Sequence, residues 1–397
     1  MGLEAIISGG GIGGLGTAAA LARRGWKVTV FESAAQMRDA GSGIYMQNNG
    51  LAVLTEIGAH DRALEGAFQG LGMEERGYDG RVVLPPSLPP GRKLVSIPRR
   101  NLQAALLEAA EAAGVKIVMS ATVVDALAEG TLLFANGTKA QADLAIGCDG
   151  IWSPVRRALG LEHFHQRIDD WCHRTIVRAT QDDMPPEARQ RCIECWNGTR
   201  RLLVTPINDS EVYLALVALE SDVEAHDPRV GPWWNDTFPQ WAWLFDRMEP
   251  SKVTWNQFSL IKCKRWSAGR TCILGDAAHA QPPTIGQGAG MALTNGMALA
   301  AYMEHVSDPR DIPEALAAWE DAMRPLTEVC QRWSMQMLEL RHMPDELRND
   351  FLRTVFTSPW VLSNIDAATD TPAIIHTDWR PRATSTADAR DAGIAAE

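Results

Sequence analysis

A chain of 397 residues, 46% hydrophobic and 22% charged, is too long for one small core and calls for two domains, or one large domain with an insertion. A net charge of −11 with no offsetting basic run argues against nucleic acid as a partner. The N-terminus has no signal-peptide pattern and the seven cysteines are scattered, so a reducing cytoplasm is expected.

In chain order, Glu4 to Ile7 reads as a short buried strand, followed by a glycine cluster, a helix through "GTAAALARRG" and a second strand "KVTVFE". This is a βαβ unit at the very start. Leucines and alanines at helical spacing predict a helix over "RRNLQAALLEAAEAAG", then strands over "VKIVMS" and "ADLAIGCDG". Between about Leu161 and Lys262 the pieces "RTIVRA", "RRLLVTP" and "EVYLALVAL" predict a mostly β region. It holds an aromatic cluster at Trp233, Trp234, Trp241 and Trp243. Within it, Cys192 and Cys195 form a lone CxxC with no second pair, read as free thiols, and no metal site is expected. The first domain resumes at "RTCILGDAAHA", with a long helix from about Gly288. The uncharged stretch Ala277 to Met303 contains prolines, glycines and Asn295, so it predicts a loop entering a buried helix rather than a membrane span. From Ala383 the small, polar tail is expected to fray.

Three motifs carry chemistry. Gly9, Gly11 and Gly14 form GxGxxG between the first strand and helix, where the backbone can approach a pyrophosphate at the positive helix end. Glu32 ends the second strand, 18 residues after Gly14, and can accept from both hydroxyls of an adenosine ribose. "CDGIWSPVR" supplies Asp149, Gly150, Ser153 and Arg156 after a strand. "LGDAAHAQPPTIGQGAG" places Asp276 to hold a ribityl hydroxyl. In the same run, backbone N–H groups of Gly288, Ala289 and Gly290 can face the electron-rich edge of a reduced flavin.

In this order and spacing the motifs resemble the single-component flavin aromatic hydroxylases, the p-hydroxybenzoate hydroxylase family, over roughly Glu4 to Arg332. Within that family, "GSGIYMQNNGLAVLTEIGAHD", "GDAAHAQPPTIGQGAGMALTN" and "ALAAWEDAMRPLTEVCQ" are most similar to the oxygenases of hydroxypyridine carboxylates. The resemblance implies an α/β fold in which a Rossmann-like FAD-binding domain (1–72, 98–162 and 264–345) is interleaved with a β-sheet substrate domain (73–97 and 163–263). A C-terminal helical segment with the tail takes 346–397. It further implies NAD(P)H as donor, O2 addition at flavin C4a, and transfer of OH to an activated ring, with ring opening left open. The expected substrate is a small aromatic acid, in particular a hydroxypyridine carboxylate, and the protein a monomer or homodimer.

Carried over by resemblance, Arg38 and Arg99 would touch the FAD phosphate or ribityl region, with Gln103 a weaker candidate, and Pro283 would lie near C4a. Arg174, Arg201 and Tyr213 would face the pocket, and an aromatic substrate-facing position of that branch falls near Met73. A guanidinium suits a substrate carboxylate, but a structural ion pair competes for Arg174 and Arg201, and simple core packing for Tyr213. His279 and His173 read more readily as structural than as chemical groups. Most relatives place aspartate where Asn295 stands. The competing functions are a flavin dehydrogenase or reductase without oxygen transfer, and a non-catalytic flavoprotein sensing a small aromatic.

Overall fold

Apolar runs without alternation make strands buried on both faces, and here they stack in parallel with helices covering them. The computed structural model describes residues 2–37, 42–226, 232–370 and 372–382. A six-stranded sheet runs in the order Ser267–Ala268, Thr271–Ile273, Leu144–Gly147, Glu4–Ser8, Lys27–Phe31, Lys116–Val118. All its pairings are parallel except the edge hairpin formed by its first two strands. The helix Ile12–Ala22 packs on one side against Arg99–Ala112 and Gly288–Met303. Gly16 and Gly296 permit this closeness: a Cβ on Gly16 would sit 2.4 Å from Leu293, and one on Gly296 2.1 Å from the Thr17 hydroxyl.

The second sheet has seven strands, ordered Thr254–Cys263, Glu162–Arg178, Glu211–Leu219, Arg200–Pro206, Cys192–Asn197, Met73–Arg76, Val82–Leu84. Its pairings are antiparallel except that Met73–Arg76 runs parallel to Cys192–Asn197. Alternation assigns its faces. Val177, Ile193, Leu202, Val204, Leu214 and Leu216 point outward into a core closed by Trp234, Phe238, Trp241 and Leu244. The tryptophan stretch is therefore a helical cap, Pro232–Thr237 and Ala242–Phe245, over a β-sheet rather than strand itself. Cys192 and Cys195 fall three apart on one strand and so on opposite faces; both are buried free thiols. Among the described residues no cluster of His, Cys, Asp or Glu could hold a metal ion.

The stretch 277–303 divides as its composition predicts, into a turn at Pro283–Ile285 and the buried helix Gly288–Met303. Among the described residues no helix is long and apolar enough to cross a membrane. A 28-residue helix, Ile312–Glu339, ties the halves together: Trp319 sits in the core of the first sheet, and Leu338 packs on the inner face of the second. Helices Asp345–Val355 and Pro359–Thr369 follow, and the tail from Ala383 lies outside the described residues.

Candidate flavin and substrate site

The glycine turn is set by close backbone approach. A Cβ at Gly14 would lie 2.0 Å from the Gly9 carbonyl oxygen, and one at Gly9, whose φ is +101°, 2.4 Å from that of Cys148. At Gly11 a Cβ would meet nothing within 4 Å, so this turn faces an open groove. The helix that starts there has no side-chain cap, which leaves its first N–H groups for an anion. Glu32 accepts from the Gly10 N–H at 2.8 Å and the Ala34 N–H at 2.8 Å, which fixes the carboxylate and leaves further lone pairs for ribose hydroxyls. Gln103 donates to the Gly10 carbonyl at 2.7 Å and braces the turn. Arg38 lies outside the described residues.

Asp149 follows the strand Leu144–Gly147. Its Oδ2 receives only long bonds, 3.4 Å each, from the Ser8 hydroxyl and the Val155 N–H, and its Oδ1 is buried without a partner. Burial raises its carboxyl above the usual range, and an orphaned acceptor there fits a cofactor hydroxyl. Arg156 of the same motif is buried and acts as a clamp. It donates to the Ala277 carbonyl at 2.8 Å, the Ile151 carbonyl at 2.6 Å and Glu162 at 2.9 Å, so it fastens the Asp149 loop to the Asp276 loop.

Gly275, at φ +65°, turns the chain so that Asp276 opens into the cleft. The protein around Asp276 raises its carboxyl, and the Arg99 guanidinium opposes that rise. Burial lowers the Arg99 guanidinium from its ordinary value; the Asp276 charge opposes this, and Arg174 and Tyr213 also act on it. His279 is buried behind them; its Nε2 accepts from the Gly275 N–H at 3.1 Å and lies 2.8 Å from the Asn295 side-chain nitrogen. Burial lowers it to about 4, which makes it a neutral structural acceptor. Pro283 is exposed, and a Cβ on Gly288 would meet nothing within 4 Å. The helix starting at Gly288, Ala289 and Gly290 has no side-chain cap. An uncapped helix end, an open glycine turn and two cleft-facing carboxylates fit FAD.

The inner face of the seven-stranded sheet floors this cleft. Pleating puts Arg174, Tyr213 and Arg201 on it together. Arg174 donates to the Tyr213 hydroxyl at 3.1 Å and forms no ion pair among the described residues. Burial pushes Tyr213 up to about 12, so its hydroxyl keeps its proton. Arg201 differs: it pairs with Glu194 at 3.1 Å and lies over the Trp196 ring. His173 is buried on the other face, edge-on to His226. Three residues that sequence reasoning did not single out share the inner face. Tyr45 hydrogen-bonds the Thr205 hydroxyl and ties the strand Gly43–Met46 to the sheet. Glu75 accepts from the Trp196 Nε1–H at 2.9 Å, and Glu194 stands directly across from Glu75. The signal was there in "GMEERG" and "CIECWN", acids among strand-forming residues, but only the register says which acid faces inward.

An FAD groove beside a β-sheet floor that carries an arginine and a tyrosine defines a flavin monooxygenase of the aromatic-hydroxylase type. The chain belongs to the FAD binding domain family, which it matches over residues 3–333. It is 38% identical to the 2-heptyl-3-hydroxy-4(1H)-quinolone synthase of Mycobacteroides abscessus, over 88% of this chain and 93% of that one. It is 28% identical to the hispidin-3-hydroxylase of Neonothopanus nambi, over 89% of this chain and 91% of that one. Among solved structures it is similar to the tetrameric form of 2-methyl-3-hydroxypyridine-5-carboxylic acid oxygenase, with a TM-score of 0.82 and 29% identity, over 94% of this chain and 98% of that one. The family resemblance drawn from the motifs, the α/β fold and the FAD cofactor are thus borne out, and the protein is a flavin-dependent monooxygenase.

Proposed function

We propose that this monooxygenase hydroxylates a small nitrogen heteroaromatic ring that carries an oxo or hydroxyl group, with NADH or NADPH as electron donor. The carrying observation is Arg174: a guanidinium beside a tyrosine hydroxyl and, among the described residues, paired with no acid. Such a pair holds an oxygen that bears negative charge, which is what an electron-rich ring needs when it is oxygenated. Bound FAD would supply hydride acceptance from NAD(P)H and activation of O2. Gly9, Gly11, Gly14, Glu32 and Asp149 would hold its adenosine and pyrophosphate, and Asp276 with Arg99 its ribityl region. Gly288, Ala289 and Gly290 would present N–H groups to its ring edge, and Pro283 would form a dry wall that suppresses side reactions. Arg38 keeps the phosphate or ribityl role that the resemblance implies.

Two relatives suggest the ring. The quinolone synthase favours a 4-quinolone. The pyridine oxygenase favours a hydroxypyridine carboxylate, whose carboxylate Arg174 could take. The test is turnover under ¹⁸O₂ with both ring types, with NADH and NADPH supplied separately. Substrate-stimulated oxidation of the nicotinamide and ¹⁸O in the product are expected; hydrogen peroxide alone with every ring would sink the reading. We take the enzyme as cytoplasmic and as a monomer or homodimer. Light scattering of the eluted holoenzyme checks the latter, since the solved neighbour is tetrameric.

A further inference from the structure

The turn from Pro282 to Gln287 is braced from behind by two helices. Ser334 of the helix Ile312–Glu339 donates to the Pro282 carbonyl at 2.7 Å, and its own carbonyl accepts from the Thr284 hydroxyl at 2.6 Å. The helix Pro359–Thr369, which lies beyond the family match, takes the other half. Ile285 packs on the buried pair Trp333 and Val361. Gln287 is buried, and its side chain belongs to a chain of amides that runs in one direction. The Gly50 N–H donates to Asn49 Oδ1 at 2.7 Å, Asn49 Nδ2 donates to Gln287 Oε1 at 2.8 Å, and Gln287 Nε2 donates to the Thr369 carbonyl at 3.1 Å. With a backbone donor at one end and a backbone acceptor at the other, neither amide can flip without losing both of its bonds. Gly290 leaves room for this chain: a Cβ there would sit 3.0 Å from Gln287 Oε1 and 3.1 Å from Asn49 Oδ1.

Thr369 is held in turn by Arg92, from the loop between the strands Val82–Leu84 and Leu94–Pro98. Arg92 donates to the Thr369 hydroxyl at 3.0 Å and to Asp366 at 2.9 Å, and pairs with Asp370. Asn48, beside Asn49, holds the same loop: it donates to the Gly91 carbonyl at 3.0 Å and accepts from the Lys93 N–H at 3.0 Å. Two adjacent asparagines thus tie the loop, the C-terminal helix and Gln287 into one unit. Gln287 immediately precedes the helix end at Gly288, and among the described residues no side chain caps that end. A polar side chain at such a place is ordinarily drawn to the first N–H groups of the helix. Here Asn49 and the last carbonyl of the C-terminal helix engage it instead.

We propose, resting on the reading above that this helix end meets the flavin ring, that Gln287, Asn49 and Arg92 are positioning residues. Through Thr369 the C-terminal helix keeps the N–H groups of Gly288 to Gly290 aimed and unoccupied for the pyrimidine edge of FAD. The role has a sign. Reduced flavin carries more negative charge on that edge than oxidised flavin, so well-aimed N–H groups stabilise the reduced form more. Loosening the turn therefore weakens reduced FAD more than oxidised FAD, and the reduction potential falls.

The test compares the native protein with Gln287→Met, Arg92→Met and Arg92→Lys. Four quantities are measured: FAD affinity by dialysis, reduction potential by titration against a reference dye, melting temperature, and amide hydrogen exchange at residues 288–290 with and without FAD. In the native protein FAD should slow exchange at 288–290. Gln287→Met keeps the side-chain volume and removes both amide bonds. It should weaken FAD about 10-fold, lower the potential and speed exchange at 288–290 in the apoprotein. Arg92→Met leaves the turn's own residues intact and should act in the same direction, roughly 2- to 5-fold in affinity. Arg92→Lys keeps the charge toward Asp366 and Asp370 and should restore part of that loss. A lower melting temperature with native potential and native exchange at 288–290 would make these contacts structural only and overturns the proposal. If FAD slows exchange there in the native protein but both methionine variants keep native affinity and potential, only the positioning role falls. If FAD leaves exchange at 288–290 unchanged in the native protein, the reading of that helix end falls, and this inference with it.

Discussion

The cofactor groove and the sheet that floors it solve different problems. In the groove, the features proposed to hold FAD are mostly backbone ones: glycines whose missing Cβ lets chains touch, helix ends without side-chain caps, and a few carboxylates at strand ends. On the sheet, the side chains proposed to meet substrate are gathered from different strands, with Arg174 and Tyr213 brought together across 39 residues. The first arrangement tolerates little change in the residues that make it and is local in sequence. The second can be retuned one side chain at a time while its outward face keeps the tryptophan-capped core intact.

The largest effect that separates the two regions should come from Arg156. It is fully buried, and three acceptors, from two loops and the start of the strand Glu162–Arg178, converge on it. Arg156→Met leaves two carbonyls and Glu162 without their donor, a loss on the order of 3 kcal/mol. Because the clamp joins the Asp149 and Asp276 loops, thermal stability and FAD retention should fall together. A variant with native melting temperature and full flavin content would show that the loops hold their places without it.

The next effects divide the regions. Asp276→Ala removes a cleft-facing acceptor and should weaken FAD binding roughly 10- to 100-fold with little change in the apoprotein's stability. Arg174→Met should do the reverse: FAD stays, and the substrate dissociation constant rises by a similar factor. Arg201→Met serves as the contrast within the sheet, since it strands Glu194 and should lower stability whether or not substrate is present. Equilibrium dialysis of flavin and calorimetric unfolding of the three variants distinguish these outcomes. If Arg174→Met lost flavin as readily as Asp276→Ala, the cleft would not divide into cofactor and substrate ends as described.

The same division explains what was legible in the sequence. The strand–glycine–helix start, the buried helix after the Pro283 turn and the family itself follow from local patterns, since a pyrophosphate turn is written in consecutive residues. Arg174, Arg201 and Tyr213 were picked by resemblance, and their shared face agrees with strand alternation. Their difference was not legible: among the described residues one arginine pairs with no acid and the other is paired, because Glu194 reaches Arg201 only through a hairpin whose register no composition reveals. Arg156 was seen as a motif letter, and its partner Ala277, 121 residues away, gave no sign of the clamp. The helical tryptophan cap was masked because an aromatic-rich stretch fits a strand as readily as a short helix covering one.

The smallest effect lies behind the groove, at His279. Burial lowers it to about 4, below its unfolded value near 6.5, so the folded chain holds it neutral while the unfolded chain takes up a proton first. Its contribution to stability is therefore complete above about pH 6.5 and is lost as pH falls from there toward 4, by no more than about 3 kcal/mol. The neutral ring matters because its Nε2 must accept from Gly275, the residue that turns Asp276 into the cleft, and Asn295 beside it can donate. An aspartate at that position would favour the charged ring instead. His279→Gln offers an oxygen acceptor that does not titrate. The stability difference between the native protein and this variant should change across pH 4 to 6.5 in favour of the variant as acid is added, and flavin release on acidification should move in parallel. Asn295→Asp should also shrink the acid loss, by raising the histidine's affinity for its proton, while weakening the Gly275 contact at neutral pH. Unfolding curves for the native protein and His279→Gln that stay parallel from pH 7.5 to 4.5 would show that this histidine is not the group through which acid loosens the turn.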